Sequence, residues 1–237
     1  MPTIEEKLAL LDWTAVADEL NDKGYSLVDG VLNERQCEKL KANYDETDAY
    51  RKTVIMERYR FGLGEYKYFD YPLPKSIQTL RKDIYPHLAP LANLWMKVLQ
   101  IDKVFPATHQ ELLKQCHDHD QLKATALILK YGKGGYNTLH QDLYGEVYFP
   151  LQAVLLLNEP ELDFTGGEFV LVQQTPRAQS KAMVLRPKKG DLLIFPTNFR
   201  PIKGSKGYYR VIMKHGVSEV HSGERYTLGL IFHDAIN

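Results

Sequence analysis

Cysteine is nearly absent from this chain. Its 237 residues include two, Cys37 and Cys116, and neither stands in a Cys-x-x-Cys spacing. That argues against a disulfide framework or a zinc–thiolate centre and for a reducing compartment. An excess of either charge is missing too. Lys plus Arg and Asp plus Glu number 30 each, so the formal net charge is zero. A bulk electrostatic grip on nucleic acid is therefore not favoured, although a local basic patch fits the same balance. No apolar run approaches the roughly 20 residues of a membrane span. The opening MPTIEEKLALL carries glutamates where a signal peptide is basic. The expectation is a soluble, cytoplasmic protein without a membrane partner. Pro/Ser linkers, internal repeats and low-complexity tracts are also lacking. The length suits a single structural unit with a sizeable core.

What is present changes character midway. Leu8, Leu10, Leu11, Val16 and Leu20 lie near helical spacing, and Lys23-Gly24 reads as a stop. Residues 25–28 suit a short strand, and Asn33 can cap a second helix. Residues 75–100 form a long helical stretch that Pro86 and Pro90 should break or kink. Residues 105–121 suit a further helix ending in His117-Asp118-His119-Asp120. Beyond 122, β-rich runs at 124–131, 144–157, 167–173, 182–186, 191–196, 210–217 and 225–232 alternate with Gly-rich links. That spacing predicts an antiparallel sandwich or jelly roll. The expected fold class is α+β: a helical N-terminal layer, 1–122, packed on a β core, 123–237.

His140-Gln141-Asp142 is the only His-x-Asp in the chain, and it follows a strand and a Gly-rich turn. Alternate strand residues share a face, so positions i and i+2 converge. Two histidines and a carboxylate on one face suit a mononuclear Fe(II) that needs open positions. The second histidine should come strands later, and His215 does; His221 and His233 compete for that role. His109-Gln110-Glu111 lies in a predicted helix, where a two-residue offset turns side chains about 200° apart. The 117–120 run is a further rival, read as a solvated loop closing a helix.

Arg225 follows His215 by ten residues on the last strand. There Arg225, Thr227, Gly229 and Ile231 share one face. If that face lines the barrel, a guanidinium, a hydroxyl and an absent side chain make a pocket for a five-carbon diacid. 2-Oxoglutarate is such a diacid, and it would share the metal with O2.

These features together resemble the Fe(II)/2-oxoglutarate dioxygenase superfamily, whose fold is a double-stranded β-helix. Tyr131-Gly132 and Leu139-His140-Gln141-Asp142 look like the AlkB-type nucleic-acid demethylases. That likeness implies that Tyr131, Arg225 and Thr227 contact the distal carboxylate. AlkB-type enzymes carry a second arginine six residues after the first, where this chain has Ile231, and an asparagine two before the tyrosine, where it has Leu129. These departures imply that the keto acid end is held differently or that the substrate class differs. A likeness over nearly the whole chain, carried by residues 64–69, 71–74, 139–145, 164–171 and 231–235, is to a bacterial 2OG-Fe(II) oxygenase family with a suggested role in oxidative demethylation of damaged DNA. The resemblance implies hydroxylation or demethylation of a substrate, with succinate and CO2 as co-products.

The substrate is less legible. Residues 58–71 interleave Arg58, Arg60 and Lys67 with aromatics, which suits either nucleic-acid stacking or a loop packed over the barrel mouth; packing is the expectation. Arg210, on the approach to His215, is the expected anionic contact. Three functions compete: a dioxygenase of a small molecule or protein side chain, a nucleic-acid repair dioxygenase, and a metal-binding β-barrel without oxygenase activity. Arg225 argues against the third.

Overall fold

The computed structural model describes residues 2–237. Capping chemistry sets the helices. In α1 (Ile4–Ala9) the Thr3 hydroxyl accepts from the Glu6 amide and the Glu6 carboxylate accepts from the Thr3 amide. In α2 (Trp13–Asp22) the Asp12 carboxylate accepts from the Thr14 and Ala15 amides. The single helix expected across Leu8–Leu20 is therefore two, because the acceptor at Asp12 starts a new helix. α3 (Glu34–Ala42) begins at Asn33 as expected, in a capping box with Gln36. α4 (Lys75–Val98) runs unbroken through Pro86 and Pro90. Both prolines, and Lys82 one turn earlier, lie on its exposed side, so the carbonyls they leave unpaired face water. The opposite side is buried along Ile77, Leu80, Ile84, Leu88, Leu91 and Trp95. At about 1.5–3 kcal/mol per large buried side chain, that face outweighs two proline penalties of about 3 kcal/mol each. α5 (His109–His117) is capped by Thr108.

The strands are β1 (Ser26–Val28), β2 (Tyr50–Ile55), β3 (Gly62–Leu63), β4 (Glu65–Phe69), β5 (Leu127–Tyr131), β6 (Tyr136–His140), β7 (Leu151–Leu156) and β8 (Phe164–Gly166). They continue as β9 (Phe169–Gln174), β10 (Lys181–Leu185), β11 (Leu192–Pro196), β12 (Phe199–Gly204), β13 (Gly207–Val217), β14 (Val220–Gly223) and β15 (Arg225–Ile231). A seven-stranded sheet has the order β1-β11-β7-β15-β5-β4-β2. A six-stranded sheet runs β10-β9-β13-β6-β3, with β12 also on β13, and β14 pairs β8 separately. Every strand pair is antiparallel.

The expected division at 122/123 is crossed by both sheets. β1, β2 and β4 join the seven-stranded sheet and β3 joins the six-stranded one. Segment 50–69 conceals its strands because charged side chains cover its rings. Arg51 lies 4.6 Å over Tyr68, and Lys67 lies 5.5 Å over Tyr50. A strand whose cations snorkel over aromatics loses the plain apolar–polar alternation.

The seven-stranded sheet has two different faces. Ile128, Leu155, Ile194, Leu228 and Leu230 pack with the helices in one large core. Leu193 and Phe195 meet Phe169, Leu171, Val211 and Met213 of the six-stranded sheet in a second core. The cavity described next opens between the two sheets. No helix among the described residues is long and apolar enough to cross a membrane.

Candidate active site

β6 and β13 pair so that His140 stands directly opposite His215. The two imidazole centroids are 4.2 Å apart. Asp142 reaches both: its Oδ1 is 3.7 Å from His140 Nε2 and its Oδ2 is 3.3 Å from His215 Nε2. One ligand atom from each residue lies within 4.8 Å of the others. His140 Nδ1 is 2.8 Å from the Thr138 carbonyl. A carbonyl only accepts, so Nδ1 is the donor there and Nε2 is the ring nitrogen turned toward Asp142.

Strand alternation does not by itself produce this arrangement. β6 ends at His140, and Asp142 lies in irregular chain beyond it. The Tyr144 hydroxyl donates to Asp142 Oδ1 at 2.7 Å, and Tyr68 donates to Tyr144 at 3.1 Å. Gln141, between His140 and Asp142, is pinned by bonds to Asn198 and to the Met213 carbonyl. Upstream, His140 opposes His215 while Asn137 opposes Val217, so Gly216 alone faces Thr138 and Leu139. This β-bulge shifts the parity of β6. Asn137 and His140, three residues apart, both line the cavity. The bulge needs a glycine opposite it, since a Cβ on Gly216 would stand 2.6 Å from the Asn137 carbonyl oxygen.

Burial alone would push the Asp142 pKa up; the His215 hydrogen bond, both imidazoles and the Tyr144 hydroxyl outweigh it and hold the carboxyl well below the usual range. Burial lowers the His215 pKa, which favours its neutral form. A carboxylate with two imidazoles is the donor set that non-haem Fe(II) takes, with positions left for other ligands. The residues therefore fit the metal.

A cavity of about 210 Å³ extends from this cluster along the inner face of β15. Arg225, Thr227, Gly229 and Ile231 all line it, as alternation predicts. Arg225 stands beside Tyr131 in the β15–β5 ladder, its guanidinium 5.8 Å from the ring centroid. It donates to the Thr227 hydroxyl at 2.5 Å. Asn137 donates to the Tyr131 hydroxyl at 3.2 Å. Arg225 Nε has no protein partner, and no carboxylate among the described residues forms an ion pair with this guanidinium. Burial lowers its pKa to about 10, so it remains a cation at neutral pH. A buried cation without a counter-charge is costly, and this one suits an anionic ligand. Leu127, Leu129, Val154 and Phe169 give the rest of the cavity apolar walls.

Several expected residues lie elsewhere. Arg210 does not line the cavity; it is exposed, with its guanidinium 5.2 Å over Phe199. The reason is the length of β13, whose first half pairs with β12 in a hairpin away from the metal cluster. His221 is exposed on β14. His233 is buried and its Nδ1 accepts from the Phe149 amide. His109 is buried in α5 against the Phe232 carbonyl. In the 117–120 run, His117 lies 3.4 Å from Asp234, which Arg81 holds at 3.0 Å, and His119 bonds the Gln115 carbonyl. Segment 58–71 divides: Tyr68 and Phe69 are buried, while Arg58, Tyr59, Arg60 and Phe61 are exposed. Tyr59 and Phe61 stack at 5.5 Å, and Phe61 reaches the cavity. Packing was expected throughout, and a tight turn through Arg60 at φ 60° keeps these side chains outside. Sequence reasoning passed over Tyr144, Asn137, Gly216 and Gln152. Only Tyr144 had a local signal, a hydroxyl two residues past the carboxylate.

Comparison with known proteins agrees with this geometry. Residues 64–235 match the family model described as "Oxygenase, catalysing oxidative methylation of damaged DNA". An uncharacterised protein of Mycobacterium tuberculosis H37Rv is 46% identical over 167 residues, 70% of this chain and 72% of that protein. Among solved structures, a Pseudomonas putida prolyl-4-hydroxylase superposes with a TM-score of 0.55 at 18% identity, covering 92% of this chain and 97% of that one. A Burkholderia pseudomallei oxidoreductase of the 2OG-Fe(II) oxygenase family gives 0.50 at 14% identity, covering 96% and 94%. The chain belongs to this oxygenase family, and within it carries the fold of the 2-oxoglutarate- and Fe(II)-dependent oxygenases.

Proposed function

We propose that the two sheets form a double-stranded β-helix in which His140, Asp142 and His215 hold Fe(II), while Arg225, Thr227 and Tyr131 anchor the distal carboxylate of 2-oxoglutarate. One observation carries the reading: a two-histidine, one-carboxylate cluster shares a single apolar cavity with a buried guanidinium that has no carboxylate partner. Bound there, iron and 2-oxoglutarate supply O2 activation coupled to decarboxylation of the co-substrate to succinate and CO2, with oxidation of a substrate C–H bond. The chain's own part is positional. Thr138 fixes the His140 tautomer, Tyr144 occupies one oxygen of Asp142, and Arg225 pairs with the distal carboxylate of the diacid. The apolar walls keep water from the reacting atoms. Aerobic succinate formation from 2-oxoglutarate with Fe(II) tests the assignment. Wild-type protein should show it, and His140→Ala and Asp142→Ala should lose both succinate output and metal affinity. Equal iron affinity and turnover in those variants would sink it.

A damaged nucleic acid is the substrate class we favour. The matched family's description supports it, as does the exposed Arg58–Phe61 rim at the cavity. Stacked rings flanked by arginines suit bases and phosphates, and zero net charge makes such contacts local. Methylated oligonucleotides should release formaldehyde, and a double Arg58→Ala, Arg60→Ala variant should bind them more weakly with a shallower salt dependence. No formaldehyde and no binding would leave a small-molecule or protein substrate. A reducing cytoplasm suits the two buried thiols, whose pKa values burial raises to about 11, leaving them inert.

A further inference from the structure

The cavity wall carries a polar group that none of these roles uses. Gln152, on β7, is 3% exposed, lines the cavity, and its Nε2 has no hydrogen-bond partner in the protein. Buried amide N–H groups are almost always paired, because leaving one unmade costs the full desolvation of the donor.

Its position is fixed by the ladder. On β7 and β15, Leu156 opposes Thr227, Val154 opposes Gly229, and Gln152 opposes Ile231. Arg225 and Tyr131 stand at one end of this wall and Gln152 at the other. On its other side Gln152 pairs with Phe195, whose ring is 4.8 Å from that of His215. Gln152 therefore belongs to the metal end. From Thr227 to Ile231 the strand advances about 13 Å, a span that a five-carbon diacid bridges together with the reach of two side chains.

A diacid anchored by Arg225 still has a second carboxylate to satisfy. Most other donors around the cavity are engaged: Tyr144 with Asp142, Asn137 with Tyr131, and Gln141 with Asn198 and Met213. Arg225 Nε, also unpartnered, is at the wrong end. His215 Nδ1 is turned away, since its Nε2 faces Asp142. Ile231, directly across from Gln152, has nothing to donate.

We propose that the Gln152 amide donates to the keto acid carboxylate of 2-oxoglutarate, the end opposite the one Arg225 anchors. This rests on the co-substrate reading above. Calorimetric titration of the Mn(II)-loaded protein with 2-oxoglutarate and with 2-oxopentanoate, which lacks the distal carboxylate, separates the two ends. Gln152→Met keeps the volume and removes the N–H. It should raise the Kd of both ligands by the same factor, about ten-fold, as expected for a hydrogen bond to a charged group. Its Mn(II) affinity and metal-free unfolding temperature should stay near wild type. Gln152→Glu, which sets carboxylate against carboxylate, should weaken both ligands further. Arg225→Met should weaken 2-oxoglutarate alone. Wild-type Kd values for both ligands in the two Gln152 variants would overturn the proposal. Wild-type protein that takes up Mn(II) but neither keto acid would instead overturn the co-substrate reading.

Discussion

The two sheets that enclose the cavity present their polar side chains by different means. The seven-stranded sheet does it by regular alternation: along β15, Arg225, Thr227, Gly229 and Ile231 face the cavity while Leu228 and Leu230 face the helices. The six-stranded sheet departs from regularity. A bulge opposite Gly216 sets the parity of β6, the strand stops at His140, and side-chain hydrogen bonds place Asp142. In the proposed function the regular wall would hold a ligand's charge at a distance, which tolerates ångström-scale error. The irregular wall must converge three ligand atoms to within 4.8 Å, and strand geometry alone does not reach that.

This contrast can be broken experimentally, beginning with its strongest consequence. Asp142→Ala removes the one ionised ligand and should abolish 2-oxoglutarate-coupled succinate formation and stoichiometric Fe(II) uptake, read by metal analysis after desalting. Tyr144→Phe keeps the ring and deletes the hydroxyl on Asp142 Oδ1. It should lower metal affinity about 10–100-fold, the usual effect of losing a hydrogen bond behind a ligand. An unchanged affinity would mean that Gln141 alone fixes the segment.

Gly216→Ala should act through the backbone. Its Cβ meets the Asn137 carbonyl at 2.6 Å, so β6 must shift. Urea unfolding should show a loss of about 1–3 kcal/mol, typical of overpacking, and metal affinity should fall with it. By contrast Gly229→Ala, on the regular wall, has its close contacts with the Leu127 side chain, at 2.7 Å from Cδ2 and 3.3 Å from Cγ, and not with backbone. It should cost less and leave the metal site intact.

Acid should act on the other face of the seven-stranded sheet. Burial lowers the His109 and His233 pKa values from 6.5 to about 3. The unfolded chain then binds protons that the folded one refuses, so the stability these residues contribute is present above pH 6.5 and lost as pH falls toward 3. Between pH 6.5 and 5.5 the loss should be about 1 kcal/mol per histidine. His233→Gln should reduce the slope of unfolding free energy against pH in that window. The smallest effect is expected from Arg225→Met in the metal-free, ligand-free protein. Replacing a buried cation that lacks a carboxylate partner by an apolar chain of similar length is neutral or slightly stabilising. A loss of several kcal/mol would show that Arg225 supports the fold and not only a ligand.

The sequence by itself determined which residue types could form the site and which strand face would carry half of it. His140-Gln141-Asp142 and the β15 alternation are local facts, because a two-residue period needs no knowledge of distant chain. Capping at Asn33 was local in the same way. Tertiary structure decided the remainder. Whether His215, His221 or His233 joins the pair depends on which strand lies beside β6, a pairing across 75 residues. The strands within 50–69 show only once their cations are seen resting on tyrosine rings. The long helix keeps its prolines because packing turns them to solvent. Gln152 looks in sequence like one polar residue in an apolar run. It becomes a cavity-lining residue only when β7 is laid between β11 and β15. In each case the deciding contact joins residues far apart in the chain, where short-range periodicity carries no information.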